Sequence, residues 1–199
     1  MTGLAHKLKT SPAEYLAGEN IAKARHQYVD GEVFAMAGGT KAHNLIALNL
    51  ARLLHSHLRG TPCQVFSSDV KVHVAWEWRE RYYYPDVAVG CEVDDDDPYI
   101  IARPRLIVEV LSGSTERDDR SDKFYAYRRL ASLEEYVLVA QDTLRVEVYR
   151  RETGWDLELY IEETDQVALQ SVGLVTTVAD LYEGLPELFL SRQEMQKQP

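Results

Sequence analysis

Asp86, in "YYYPDVAVG", and Glu109, in "PRLIVEVLSGST", are the two carboxylates whose positions suggest chemistry. Asp86 follows Pro85 within a strand-like run, and Glu109 interrupts the most apolar run of the chain. An ionised carboxylate buried in such a strand costs several kcal/mol unless a cation or hydrogen-bond donors compensate it. If the two strands are neighbours, both side chains can point at one spot near the sheet's end. Repulsion there makes one take a proton or both bind a divalent ion. Magnesium suits such a pair, because it takes one or two carboxylates together with waters and phosphate oxygens. On sequence alone, a salt bridge from Glu109 to an arginine such as Arg105 accounts for the buried acid equally well.

The segment after the Glu109 strand adds a cation. "DDRSDKFYAYRRLA" reads as a helix, with Asp119 and Lys123 four residues apart on one face and Tyr127 continuing it. Such a pair is ordinarily a solvated contact worth roughly a few tenths of a kcal/mol. Its nearness to the "EVLSGST" loop sets this one apart. His43 stands near the start of "KAHNLIALNLARLLHSHLRG", whose apolar positions 46, 50, 53, 54 and 58 keep helical spacing. A helix N-terminus predicts a depressed His43 pKa and a neutral, hydrogen-bonding ring. His55 and His57 do not share a helix face, which argues against a metal pair. The "DDDD" run at 94–97 reads as a solvated loop rather than a chelator. Trp76, Trp78 and Tyr82 to Tyr84 could stack on bases, but strand spacing fits sheet-face packing or a subunit contact better, so a homo-oligomer is allowed for.

These residues need elements to position them. "TSPAEYLAGE" has a capping box, with Ser11 as N-cap, Pro12 at the first position and Glu14 closing it. "RHQYVDGEVFAMAGG" is a hairpin turning at Asp30-Gly31. "CQVFSSDVKVHVAW" reads as a pair of strands and "YYYPDVAVG" as a single strand opened by Pro85. "RLIVEVL" is a central strand covered on both faces. A hairpin in "EEYVLVAQDTLRVEVYRR", a strand in "GWDLELYIE" and a short helix in "TVADLYEGL" complete the order. Helix–strand alternation around a doubly covered strand predicts one α/β domain with a mixed central sheet flanked by helices.

The 199 residues suit one core. No run has the length of a transmembrane helix, and the N-terminus lacks the apolar segment of a secretory signal. Cys63 and Cys91 have no metal-ligand spacing, which predicts reduced thiols and a cytoplasmic setting. The net charge of −10 counts against a non-specific nucleic-acid coat protein, which needs a basic footprint. Charge is uneven: residues 41–84 carry six basic and three acidic groups, so a basic surface is compatible with the acidic total.

"DGEVFAMAGGTKAHNLI", "PDVAVG", "EVLSGST", "DRSDKFYAY" and "EEYVLV" occur in an order and spacing that resemble the Uma-type restriction endonuclease domain of the PD-(D/E)XK nuclease superfamily. The resemblance spans residues 10–190, with residues 1–9 and 191–199 expected as flexible termini. It implies a metal-dependent endonuclease with DNA as substrate and magnesium or manganese as cofactor. Asp86 and Glu109 match the superfamily carboxylates, with the Val110 carbonyl as a further ligand. The superfamily lysine two positions after the second acid is replaced by Leu111, and Lys123 matches the lysine that this branch supplies from the next helix. Glu32 and His43 match acidic and histidine positions near the same site; Asp119 and Tyr127 share the helix face of Lys123. Arg117, Arg120 and Arg128 are candidates for phosphate contacts. The competing reading is a catalytically silent binding or scaffold protein on the same fold, favoured by the low basicity and opposed by the retained acid pair.

Overall fold

Ser11 accepts a hydrogen bond from the Glu14 amide and Glu14 accepts one from the Ser11 amide, a complete capping box for helix α1 (Pro12–Glu19). The computed structural model describes residues 9–36, 38–92 and 95–188. Asp30 and Gly31, at φ 50° and 100°, turn a tight hairpin between β1 (His26–Val29) and β2 (Glu32–Ala35). Helix α2 (Lys41–His57) is capped by the Thr40 hydroxyl, which accepts from the His43 amide. Then come β3 (Gln64–Ser67), β4 (Lys71–Trp76), β5 (Arg79–Tyr83), β6 (Val87–Gly90), β7 (Ile100–Ile101) and β8 (Pro104–Leu111).

The segment expected as one regular helix is α3 (Glu116–Asp118), a π-helical turn (Asp119–Lys123) and α4 (Phe124–Tyr127). Strands β9 (Glu135–Ala140), β10 (Val146–Arg150) and β11 (Leu157–Tyr160) follow. A ribbon of β12 (Gln166–Leu169) and β13 (Leu174–Thr177), which sequence reading missed, precedes α5 (Val178–Leu181).

The expected mixed α/β architecture is present. The main sheet runs β11-β10-β9-β8-β6-β3, parallel only between β8 and β9; a second runs β2-β1-β5-β4-β7. Strand β8 is covered on both faces. Leu106, Val108 and Val110 pack with Ile46, Leu50 and Leu54 of α2. Ile107 and Leu111 join Ala126, Tyr127 and Leu133 on the opposite side. By alternation, Glu109 shares the second face.

Several expectations are corrected. β3 and β4 are not a pair; they lie in different sheets. "YYYPDVAVG" is not one strand, because the chain leaves one sheet after Tyr83 and enters the other at Val87. Pro85 sits at this crossing, where a missing N–H removes no ladder bond. The cysteines are not free thiols: the Gln64–Gly90 register brings the flanking Cys63 and Cys91 together in a disulfide. That pairing depends on sheet register and is invisible in a 28-residue separation.

Of the acidic run, Asp95 accepts from the Ala102 and Arg103 amides and Asp97 from the Tyr99 amide, so both cap a loop; Asp94 lies outside the described residues. Of the termini expected to be flexible, residues 1–8 and 191–199 lie outside the described residues, whereas Lys9 Nζ donates to the Asp30 carbonyl at 3.0 Å. No helix among the described residues is long and apolar enough to cross a membrane.

Candidate active site

Strands β6 and β8 are antiparallel neighbours in the register Val87–Val108, and one step further sets Asp86 opposite Glu109. Asp86 Oδ2 accepts from the Val110 amide at 2.7 Å and lies 3.2 Å from His43 Nε2. The residue after Glu109 therefore pins Asp86 through the backbone. His43, one turn into α2, holds it from the other side. The Asp86 hydrogen bond raises the His43 pKa above its ordinary value, and burial only partly opposes it. This reverses the expected depression: a carboxylate at contact distance outweighs the partial charge of a helix end. Gly39 permits the approach, since a Cβ there would lie 2.9 Å from His43 Nδ1.

Glu109 is 2% exposed. Its Oε1 lies 3.1 Å from Lys123 Nζ and accepts from the Tyr127 hydroxyl at 3.1 Å. Burial pushes its pKa up to about 8; Lys123 pulls it back, while Asp119 and Asp86 add to the rise. Lys123 is equally enclosed, 2.7 Å from Asp119 Oδ1. Burial disfavours its ammonium, yet the charges of Glu109 and Asp119 hold its pKa above the ordinary lysine value. The π-helical turn places Asp119 and Lys123 together on the inward side, and Tyr136 anchors its start by donating to the Asp119 carbonyl at 2.9 Å. Such turns recur at functional sites. Arg105 is not the compensating cation, because it pairs with Glu134 at 3.4 Å.

Asp86, Glu109, Lys123 and His43 line one cavity of about 420 Å³. The bonds of Glu109 all fall on Oε1 and those of Asp86 on Oδ2, so each carboxylate keeps one oxygen without a partner among the described residues. Among the described residues no three His, Cys, Asp or Glu side chains form a metal cluster. Two carboxylates, Asp86 and Glu109, share the cavity, and magnesium takes one or two such ligands together with waters.

Glu32, exposed at the start of β2, is not itself among the residues that line the cavity, although its cross-strand partner Val29 and its same-face neighbour Phe34 are. Arg120 is also taken up elsewhere, binding Glu147 with both terminal nitrogens. Asp118 and Asp122 line the cavity as well and were missed, because acids on an amphipathic helix read as its solvated face.

The chain is similar to known proteins over most of its length. The family Uma2, described as "Putative restriction endonuclease", matches residues 12–179. An "Uncharacterized protein slr1290" of Synechocystis sp. (strain ATCC 27184 / PCC 6803 / Kazusa) is 37% identical over 179 residues, covering 89% of this chain and 93% of that protein. "Uncharacterized protein sll1609" from the same organism is 37% identical over 142 residues, covering 70% and 79%. A crystal structure titled as "a putative nuclease belonging to DUF820" from Anabaena variabilis ATCC 29413 shares the fold, with a TM-score of 0.67 at 16% identity, covering 81% of this chain and 91% of that one. The chain belongs to the Uma2 family of restriction-endonuclease-like proteins.

Proposed function

We propose that the protein is a divalent-cation-dependent endonuclease that hydrolyses phosphodiester bonds in DNA, with Asp86, Glu109 and Lys123 as its catalytic residues. One observation carries this reading: a buried, incompletely bonded Glu109 faces the same cavity as Asp86, with a charged Lys123 beside it. Asp86, Glu109 and the Val110 carbonyl would hold magnesium or manganese, which supplies Lewis acidity and charge neutralisation at a phosphate oxygen. The fit lies in the donors themselves. The Asp86 charge adds to the rise of the Glu109 pKa, and both carboxylates line the cavity with one oxygen each outside the bonds named above.

The chain's own residues do the rest. His43 and the Val110 amide fix the Asp86 carboxylate in one orientation. Tyr127 orients Glu109 from the opposite side. Lys123 stays protonated, which suits a fixed positive charge near a developing phosphate oxygen better than a general base. Asp119 keeps that charge aimed.

The scaffold reading has the net charge of −10 and the rim acids Asp118 and Asp122 in its favour. Thermal melting with magnesium or manganese separates the two. A nuclease site gains stability by mass action, about 2.7 kcal/mol at a hundredfold excess over the dissociation constant. That gain should vanish in Asp86→Asn and Glu109→Gln, together with plasmid nicking. Equal shifts in wild type and variants would place the ion elsewhere, and no shift in the wild type would favour the scaffold.

A further inference from the structure

All three tryptophans of the chain, at positions 76, 78 and 155, lie on one stripe of surface that the nuclease reading leaves unused. At the turn between β4 and β5, Trp78 is 70% exposed. The Arg79 guanidinium lies over its ring at 4.7 Å and over that of Trp76 at 5.7 Å. Trp76 meets Tyr125 of α4 edge-on at 6.1 Å, and Arg129 covers Tyr125 at 4.6 Å. The series continues through Phe124, under Arg128 at 4.9 Å, to Trp155, under Arg151 at 5.1 Å.

Aromatic faces and guanidinium groups thus alternate across three separate elements. Packing explains part of this, since Phe124 and Trp76 border the core. It does not explain Trp78 or Tyr125, the latter 42% exposed. The neighbouring Tyr82, Tyr83 and Tyr84 are all buried, so sheet-face packing accounts for the tyrosines and not for Trp78.

The charge of the stripe points to its partner. Arg79 and Arg81 share Asp30. Arg128, Arg129 and Arg151 make no ion pair among the described residues. Arg151 donates to the carbonyls of Leu133 and Leu130, and Arg129 to the Tyr125 hydroxyl. Three guanidinium groups without an ion pair concentrate positive charge on this stripe of a chain whose net charge is −10. Exposed aromatic faces interleaved with cations are what an unpaired strand requires, since every base has a face to stack and every step a phosphate to neutralise. The stripe also reaches the cavity: Phe124 directly follows Lys123, and Arg81 donates to the carbonyl of the cavity-lining Asp122 at 3.4 Å.

We infer that this stripe binds a single-stranded stretch of nucleic acid beside the cleavage site, with bases stacked on Trp78 and Tyr125 and phosphates on Arg128, Arg129 and Arg151. The inference rests on the nuclease reading for its class of partner. The test is binding of a labelled 12-nucleotide oligothymidylate to the full chain, by anisotropy and intrinsic fluorescence, in EDTA so that no cleavage intervenes. Saturable binding with tryptophan quenching is expected, weakened at least about fivefold in Trp78→Ala, the loss of one stacked base. With three cations engaged, log K should fall with log salt at a slope near −2, and Arg129→Ala should reduce the slope by about 0.7.

Absence of binding, binding indifferent to Trp78→Ala, or an equally tight duplex of the same length would overturn it. So would a concentration-dependent dimer that Trp78→Ala dissociates, which would assign the stripe to self-association. The two readings fail separately. Plasmid cleavage without oligonucleotide binding removes the stripe alone; Trp78-dependent binding without any cleavage removes the nuclease alone.

Discussion

Three glutamates stand almost inaccessible on adjoining strands, Glu109 on β8, Glu135 on β9 and Glu147 on β10, at 2%, 1% and 1% exposure. Their surroundings differ completely. Glu135 accepts from Arg150 Nε at 2.8 Å, from the Gln170 and Ser171 amides at 2.9 Å each, and from the Ser171 hydroxyl, so both oxygens are occupied. Glu147 takes Arg120 with both terminal nitrogens, Arg145 Nε at 2.6 Å and the Tyr149 hydroxyl at 2.8 Å. Burial opposes its charge, but these donors hold its pKa below the ordinary glutamate value. Glu109 has one cation and one hydroxyl on a single oxygen, and its pKa is pushed the other way. A buried carboxylate with every lone pair engaged is part of the scaffold. One left half engaged in front of a cavity is available for chemistry.

The sharpest break between the two kinds is mutational. Glu135→Ala strands the Arg150 guanidinium, 2% exposed, with Glu158 as its remaining carboxylate partner. It should cost about 3–5 kcal/mol in urea denaturation. Glu109→Gln removes like-charge repulsion and leaves Lys123 its Asp119 partner, so it should be neutral or stabilising in metal-free buffer at pH 8. Comparable losses in both variants would erase the distinction.

The next effect is catalytic. Lys123→Met alone removes the cation paired with Asp119, which is 1% exposed, and so leaves that carboxylate buried without its ion pair. The fair test is Lys123→Met combined with Asp119→Asn, checked for cooperative melting. Its plasmid cleavage should fall by about two orders of magnitude, for a charge contribution of roughly 3 kcal/mol. Cleavage at the wild-type rate would make Lys123 as structural as Arg150.

Acidity separates the sites by sign. Folding raises the Glu109 pKa from 4.5 to about 8, so between these values the native state keeps a proton that the unfolded chain loses. Its contribution is fully present below about pH 4.5 and declines as pH rises, by at most about 1.4 kcal/mol per pH unit. Glu147 behaves oppositely. Its stabilisation is present above about pH 4.5 and is lost as pH falls through its lower folded value. In metal-free denaturation series, Glu109→Gln should flatten the decline between about pH 4.5 and about pH 8. Glu147→Gln should flatten the smaller acid one.

Local sequence determined much of this molecule. The Ser11–Glu14 capping box, the Asp30-Gly31 hairpin, the α2 spacing and the doubly covered β8 are legible because each depends on neighbours a few residues apart. The prominence of Asp86, Glu109 and Lys123 is legible for a similar reason, as charge breaks an apolar run or follows a proline. Tertiary structure alone decided what those charges meet. The sheet switch at Pro85 set Asp86 against the Val110 amide, and the carboxylate reversed the titration expected of His43. Strand register joined Cys63 to Cys91, and the fold sent Arg120 to Glu147. Helical and hairpin patterns are short-range; the partner of a buried charge is chosen by strands far apart in the chain, and no spacing along it records that choice.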